Sequence, residues 1–561
     1  MRFTARWQAI LVGSLLALPF TTVAAQDVRG VVRDSASGIG VSGAVVMLLD
    51  SADSVLVRSI SNQRGEYRIP LTPAAKRIRT LRLGFRPRVA TLPAAVDGNI
   101  AALDIRLVAI PIHLETVRTL AARSCPKRAD GPAALAILDQ ARSGLLATIV
   151  ARAANPPAVK RLKFERRMEG NTDRIGRQVV HIDSIEATVP FAAAHNALTF
   201  IDRGFMEDSA GMQVFYAPDA EVLVDDGFSN GYCFRVMKPE FRRPNQIGVG
   251  FSAADTRPGR VDIDGAMWID TARKALVDID FAFKGLGAQV EEYRPGGHIE
   301  FREMPNGVVF VDRWHLRLVG AEPRPRPPAA PGRRMDIAIP AIYAHEVGGE
   351  IADARWPDGT SWHAQLGTLR VHAFRRDSIP VAGTFVELDS TDYRAIVDSA
   401  GRFEIHDLLP GPYKAVVVDD ELAPLGVTIP TDLAFEAERD STYRLQLEVK
   451  SASTWVRETC VSEKFVMGNA WLMARIYLPN GKPADSADWS ILTLVDSAWT
   501  PTVRGRVAAD GMLHVCNLKS ELETKIVAKR GDASVEGALT ALHPGFNLVS
   551  IVLRLPAVAK P

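Results

Sequence analysis

Gly30-Val31-Val32-Arg33-Asp34, then Val41-Ser42-Gly43-Ala44-Val45-Val46-Met47-Leu48, then Asn62-Gln63-Arg64-Gly65-Glu66-Tyr67-Arg68-Ile69 is the stretch whose reading decides the fold. Val45-Val46-Met47-Leu48-Leu49 and Val55-Leu56-Val57 are short aliphatic runs with a polar break between them, as in a hairpin. Asn62 to Gly65 is turn chemistry, with Gly65 supplying the positive φ that such turns need. Tyr67 and Ile69 alternate with Glu66 and Arg68, the period-two pattern of a half-buried strand.

The same order returns further on. Gly367-Thr368-Leu369-Arg370-Val371 is followed by Val381-Ala382-Gly383-Thr384-Phe385-Val386-Glu387-Leu388 and by Asp398-Ser399-Ala400-Gly401-Arg402-Phe403-Glu404-Ile405. Pro410-Gly411-Pro412 then marks a tight turn before Ala415-Val416-Val417-Val418. A divergent third copy carries Tyr477-Leu478-Pro479-Asn480-Gly481-Lys482-Pro483 and Asp510-Gly511-Met512-Leu513-His514-Val515. Seven or so short strands per copy make a β-sandwich. Sandwiches are therefore expected at residues 27–110 and 364–450, with a divergent one at 460–557.

The opening Gly-x-Val-x-Asp, the Gly-Ala before a buried strand and the Gly-x-Tyr/Phe turn resemble the carboxypeptidase regulatory-like domain. That family has a transthyretin-like sandwich, also grouped with carbohydrate-binding-like folds. Arg82-Leu83-Gly84-Phe85-Arg86-Pro87 completes the pattern in the first copy. The resemblance implies an exported multidomain protein whose sandwiches act as adhesion or carbohydrate-contact modules. It implies no peptidase activity, because neither His-Glu-x-x-His nor His-x-x-Glu occurs in the chain.

Different material lies between the first two copies. Residues 111–157 read as a linker and a helix that starts at Asp130-Gly131-Pro132, with Leu135, Leu138, Leu145 and Ile149 on one face, and stops at Asn155-Pro156-Pro157. Residues 158–350 read as an antiparallel sheet domain. In it, Gly259 to Asp270 alternates, turns at Thr271-Ala272-Arg273-Lys274 and returns through Ala275 to Phe281. A second hairpin runs from His298 to Phe301, turns at Pro305-Asn306-Gly307 and returns to Trp314. Long meandering hairpins after one helix are similar to the curved half-barrel of lipoprotein carriers. The fold class is mainly β, two or three sandwiches flanking a central helix and a curved antiparallel sheet. Pro323 to Pro331 reads as a stiff exposed segment.

Composition narrows the function. A net charge of +2 with scattered basic residues leaves no electrostatic footprint for nucleic acid. Arg2 and Arg6, an apolar run from Ala9 to Phe20 and Val23-Ala24-Ala25 predict a signal peptide over residues 1–25. The run is too short for a bilayer span, which needs about 20 residues. Export to the periplasm or outer envelope follows, with no transmembrane segment after cleavage. Cys125, Cys233, Cys460 and Cys516 allow three disulfide pairings in such a compartment. Proximity along the chain favours Cys460–Cys516 and with it Cys125–Cys233.

No catalytic, cofactor or metal residue is assigned. Gly227-Phe228-Ser229-Asn230-Gly231 fits a hydrolase nucleophile pattern, but Tyr232 to Val236 reads as a strand where the elbow requires a helix. Asp262 and Asp264 share one strand face and Asp278 and Asp280 the next, an arrangement that invites Ca²⁺ if the four carboxylates meet and otherwise makes a solvated face. His181, His195, His298, His315 and His345 are dispersed and read as surface or edge residues. Trp268 and Trp314 are candidate lining residues for an apolar concavity in the sheet. The expected function is a non-catalytic scaffold contacting carbohydrate or another envelope protein. A lipid or lipoprotein carrier is the second reading and a hydrolase using Ser229 the third.

Overall fold

Val45–Leu49 is a strand with every residue buried, as five consecutive aliphatic residues require when both faces are covered. Val46 and Leu48 point into a sandwich core with Val28, Val32, Tyr67 and Ile69. Val45, Met47 and Leu49 point the other way, onto Ala147 and Val150 of a long helix. The computed structural model describes residues 27–554 except 94–101, 111–130, 155, 186–196, 210–211, 238–242, 256–258, 305–306, 308, 323–340, 377–380, 421, 424–425, 460–468, 479–481, 485–486, 509, 532, 540 and 543–551.

The first sandwich pairs a three-stranded sheet (Asp27–Asp34, Glu66–Pro70, Ile105–Leu107) with a four-stranded one (Val45–Leu49, Val55–Ile60, Arg77–Leu81, Arg88–Thr91). Its opening strand runs antiparallel to Glu66–Pro70 and parallel to Ile105–Leu107. The same chain order builds a second pair of sheets between Gly367–Phe374 and Thr442–Glu448, and a third between Asn469–Tyr477 and Val552–Arg554.

One turn explains why the cassette repeats. Gly65, Gly401 and Gly511 all have positive φ, between 74° and 81°. A Cβ on any of them would meet a carbonyl oxygen of its own copy's opening strand: Val32 at 2.3 Å, Ala373 at 2.8 Å and Ile476 at 2.8 Å. Conformation and close approach both demand glycine there. Asn62, Asp398 and Asp510 shape the turn by accepting backbone N–H bonds, from Glu66, Arg402 and Met512 respectively.

The helix spans Gly131–Ala154. Leu138 and Leu145 are buried as expected, but so are Ile137, Ala141, Ala147 and Val150. A one-faced reading fails because the helix is a wedge, with the first sandwich on one side and the central sheet on the other. Its buried polar groups are satisfied locally. Gln140 accepts from the Gly84 N–H and donates to the Phe85 carbonyl, and Ser143 and Thr148 donate to carbonyls one turn back.

The central sheet has ten strands. Its main path runs from Tyr232–Met237 through Gln246–Ala253, Asp262–Asp270, Ala275–Lys284, Gly296–Glu303, Val309–Glu322 and Ala341–Arg355 to Ala158–Met168 and Ile175–Ile185. The ladder passes residue 350: it continues to Arg355 and adds Ser361–His363 after a turn with Gly359 at φ 86°. Short helices that the sequence reading missed, Ala197–Arg203, Ala220–Val224 and Asp226–Gly231, join the long helix on one face. Each is under three turns, too short for a helical periodicity to emerge. Aromatic stacking seals that layer, with ring centroids 4.6 Å apart for Phe200–Phe205 and 4.2 Å for Phe228–Tyr232.

The second sandwich covers part of the other face. Leu162, Phe164, Val180 and Ala352 of the central sheet share one core with Leu369, Val386 and Tyr413. Lys160 Nζ donates to Asp407 at 2.6 Å and Arg166 to the Pro410 carbonyl at 2.9 Å. Trp471 and Met473 of the third sandwich extend the same core.

Candidate functional site: a charged valley on the central sheet

Beyond the second sandwich, the face turned away from the helices is a valley of about 1090 Å³. One row of register positions crosses it: Arg235, Gly250, Ala266, Asp280, His298, His315 and Gly348. Ala266 and Ala282 lie on its floor, while Arg235 on one flank and Arg317 with Glu346 on the other form walls. Trp268 lines the valley and lies under Arg243, whose guanidinium carbon is 4.5 Å from the ring centroid. Trp314 does not line it. Its neighbour His315 does, and Trp314 packs on the helix side with Ile299 and Phe310. The concavity is of mixed character: ionic groups line it together with Met168, Ile175, Met237, Trp268 and Phe281.

The four aspartates do not meet. Asp262 pairs in register with Lys284 and Asp264 with Ala282, whereas Asp278 and Asp280 stand opposite Trp268 and Ala266. Asp262 accepts from Arg260 at 2.8 Å. Among the described residues, Asp278, Asp280 and His298 do place one ligand atom each within 4.8 Å. Arg243 already occupies that corner, donating to both oxygens of Asp278 (2.8 and 2.7 Å) and to Asp280 (2.7 Å). A guanidinium among the carboxylates is the counter-ion there, and no step is assigned to a metal.

His298 is the centre of the network. Its Nδ1 lies 2.5 Å from Asp280 Oδ1 and its Nε2 lies 3.2 Å from Glu300 Oε1. Burial works against the charged ring, but the hydrogen bonds to Asp280 and Glu300 outweigh it and raise the pKa to about 9. Burial likewise opposes the Glu300 carboxylate, yet His298 and Arg313 pull it down to about 2. Asp280 is lowered for the same reason, whereas burial lifts Asp278 despite Arg243. His315 stands opposite His298, ring centroids 5.7 Å apart, and burial lowers its pKa. Two imidazoles tilted 30° to each other therefore sit side by side, one favouring its cation and the other its neutral form. Arg317 donates to Asp173 (2.9 Å), to Glu346 (3.1 Å) and to the Tyr293 carbonyl (2.8 Å).

Sequence reasoning missed Arg243, Glu300, Arg313, Arg317 and Glu346. A signal was present. Asp278-Ile279-Asp280, His298-Ile299-Glu300 and Arg313-Trp314-His315-Leu316-Arg317 alternate ionic with apolar residues on adjacent strands. The histidines are not lone ones, since His298 and His315 meet across a register pair. His181 is exposed beside Asp392, 3.6 Å away, and His195 lies outside the described residues.

Ser229 sits in the helix Asp226–Gly231, which leads into the strand Tyr232–Met237. That is helix then strand, the reverse of a nucleophile elbow, and its hydroxyl points to the Asp225 carbonyl at 3.5 Å. Cys233 and Cys516 lie on strands, whereas Cys125, Cys460 and residues 1–25 lie outside the described residues. No helix among the described residues is long and apolar enough to cross a membrane.

Residues 27–108 match the carboxypeptidase regulatory-like domain. The regulatory-like domain is thus the part of the chain that abuts the long helix, and the valley lies outside it. No curated protein matches the chain significantly. Among solved structures, a minor pilin of Streptococcus agalactiae is 12% identical and aligns 35% of this chain with 98% of its own, at a TM-score of 0.13. The major pilin subunit of Bacillus cereus is 8% identical, aligns 75% with 99%, and also scores 0.13. A putative cell adhesion protein from Bacteroides ovatus is 6% identical, aligns 34% with 93%, and scores 0.13. Likenesses at these scores carry no argument about shared architecture or role.

Proposed function

We propose that this chain is a non-catalytic exported scaffold of the cell envelope that engages a polar partner, another envelope protein, through the central valley. The observation that carries this reading is the placement of charge. Most apolar positions of the central sheet are covered by helices and by the second sandwich, and the open face presents paired ions of both signs among a few apolar side chains. A surface of alternating sign suits a protein segment of complementary pattern, with specificity from charge register. The buried ion pairs disfavour an acyl chain, while Met168, Ile175, Met237 and Phe281 keep a lipid carrier as the second reading.

The finer parts of the proposal come from sequence. They are a signal peptide at 1–25, a periplasmic or outer-envelope destination, disulfides Cys125–Cys233 and Cys460–Cys516, and domain limits at 27–110, 364–450 and 460–557 around a central sheet that starts at 158. Carbohydrate contact by the sandwiches rests on fold analogy alone. The test uses the delipidated full chain, offered a fluorescent fatty acid and a chromogenic ester. Neither saturable uptake nor hydrolysis is expected. Uptake weakened by Trp268→Ala would favour a carrier, and hydrolysis lost in Ser229→Ala would make the protein an enzyme.

A further inference from the structure

The third sandwich shows which face of the cassette serves for contact. In its opening strand, Leu472, Ala474 and Ile476 point into its own core, whereas Trp471 and Met473 point outward and are buried in the core of the second sandwich. The matching sheet of the second sandwich is made by Gly367–Phe374 with Arg402–Leu408 and Thr442–Glu448 on its two sides. Leu369, Val371 and Ala373 face inward there, so Arg370 and His372 face out. Arg402, Glu404 and Arg444 on the flanking strands are exposed on the same side. A groove of about 680 Å³ crosses them.

Charge on this face is unevenly matched. Arg370 stands in register with Glu404 on one side and with Arg444 on the other. Its Nε lies 3.1 Å from Glu404 Oε1, while Glu404 Oε2 lies 3.4 Å from His406 Nε2. Asp398 accepts backbone N–H bonds from Ala400 and Arg402, at 2.9 and 2.7 Å, and meets the Arg402 guanidinium at 3.6 Å. Three arginines therefore line the groove against two carboxylates, both already engaged. Arg444 is the surplus cation, with no carboxylate at ion-pairing distance among the described residues. Like charges in register on neighbouring strands destabilise a sheet, and this pair has one member uncompensated. Neighbouring strands are about 4.8 Å apart, so one carboxylate set between Arg370 and Arg444 can accept from both guanidiniums. Ile396, 60% exposed on the edge strand Arg394–Ile396, lines the same groove. A phosphate chain has no aliphatic group to set against it, whereas an extended protein segment presents a carboxylate and an aliphatic side chain together.

We propose that this face of the second sandwich docks an extended acidic segment of another protein, with a carboxylate between Arg370 and Arg444 and an aliphatic side chain on Ile396. The groove shares no residue with the valley, so the contact does not depend on the partner assigned there. Basic residues that are scattered along the chain are collected here by register, from three strands far apart in sequence.

The experiment is fluorescence anisotropy on the full chain with a fluorescein-labelled octapeptide that alternates Glu with Leu. Saturable binding is expected at low ionic strength, weakening as salt is added, and the same peptide with Gln for Glu should not bind. Arg444→Ala should weaken binding about threefold, the scale of an exposed ion pair, and Arg444→Glu about tenfold or more. Arg444→Glu also removes the like-charge contact with Arg370, so its melting temperature should be no lower than that of wild type, which separates lost binding from lost folding. Ile396→Ser should weaken the peptide about threefold and leave binding of polyglutamate unchanged. Arg235→Ala, in the valley, should change nothing. No saturable binding of the acidic peptide, binding indifferent to Arg444→Glu, loss of binding in Arg235→Ala, or tighter binding of a polyphosphate chain would each overturn the proposal.

Discussion

Titrating His298 should cost the central sheet stability as the medium becomes alkaline. The groups facing the ring are Asp278 and Asp280 on one neighbouring strand, Glu300 on its own, and Arg313, His315 and Arg317 on the other, with Arg243 above. A pKa raised from 6.5 to about 9 means that the folded state holds this proton more tightly than the unfolded chain does. The linked stabilisation is therefore complete below pH 6.5 and disappears as pH rises through 9. At about 1.4 kcal/mol per pKa unit this amounts to about 3 kcal/mol, shared between His298 and its carboxylate partners. Histidine-selective ¹³C NMR reads the titration directly, and the spectrum of His298→Asn assigns the resonance. In urea melts, His298→Asn should be less stable than wild type at pH 6, and the gap should close above pH 10. A His298 resonance titrating at or below 6.5, or a gap independent of pH, would refute the network as described.

Other substitutions probe the packing. Removing the guanidinium in Arg439→Ala leaves Glu350, 4% exposed, without its counter-ion, and should cost about 3 kcal/mol in thermal or urea unfolding. Glu350→Gln in the same background should recover part of that loss. Leu145→Ala empties a site in the core shared by helix and sheet, with an expected cost of about 2–5 kcal/mol by the same measurement. Non-reducing peptide mapping should join Cys460 to Cys516 and Cys125 to Cys233; a Cys233–Cys460 link would overturn the proposed domain limits.

The sandwiches were legible because their information is local. Gly65, Gly401 and Gly511 mark turns in which one residue type alone fits, and the flanking alternation supplies the strands. The long helix was legible from its stop and start signals, but the extent of its burial was not. Two surfaces that press on Ala147 and Leu145 come from residues far away in sequence. The valley lay between these cases. Alternation placed Asp278 and Asp280 on one side of their strand, yet His298 and His315 read as dispersed, and only the register decides which charges become neighbours. Arg243 precedes its strand in a loop, where no periodicity announces a partner.

The strand Val45–Leu49 carries a last consequence. An evolutionary unit is usually assumed to be an autonomous folding unit, and residues 27–108 are such a unit by family. Here the two differ. Val45, Met47 and Leu49 are covered by a helix that belongs to no part of the family match. Gly43 and Gly307, both at positive φ, meet so closely that a Cβ on Gly43 would lie 2.6 Å from the Gly307 carbonyl. Excised at its family boundary, the domain would present a wet aliphatic stripe and should self-associate. It cannot swing like a bead on a string either, because its inner edge is the outer wall of its neighbour's core. Moving the first domain therefore means moving the helix and the edge of the central sheet that share its packing.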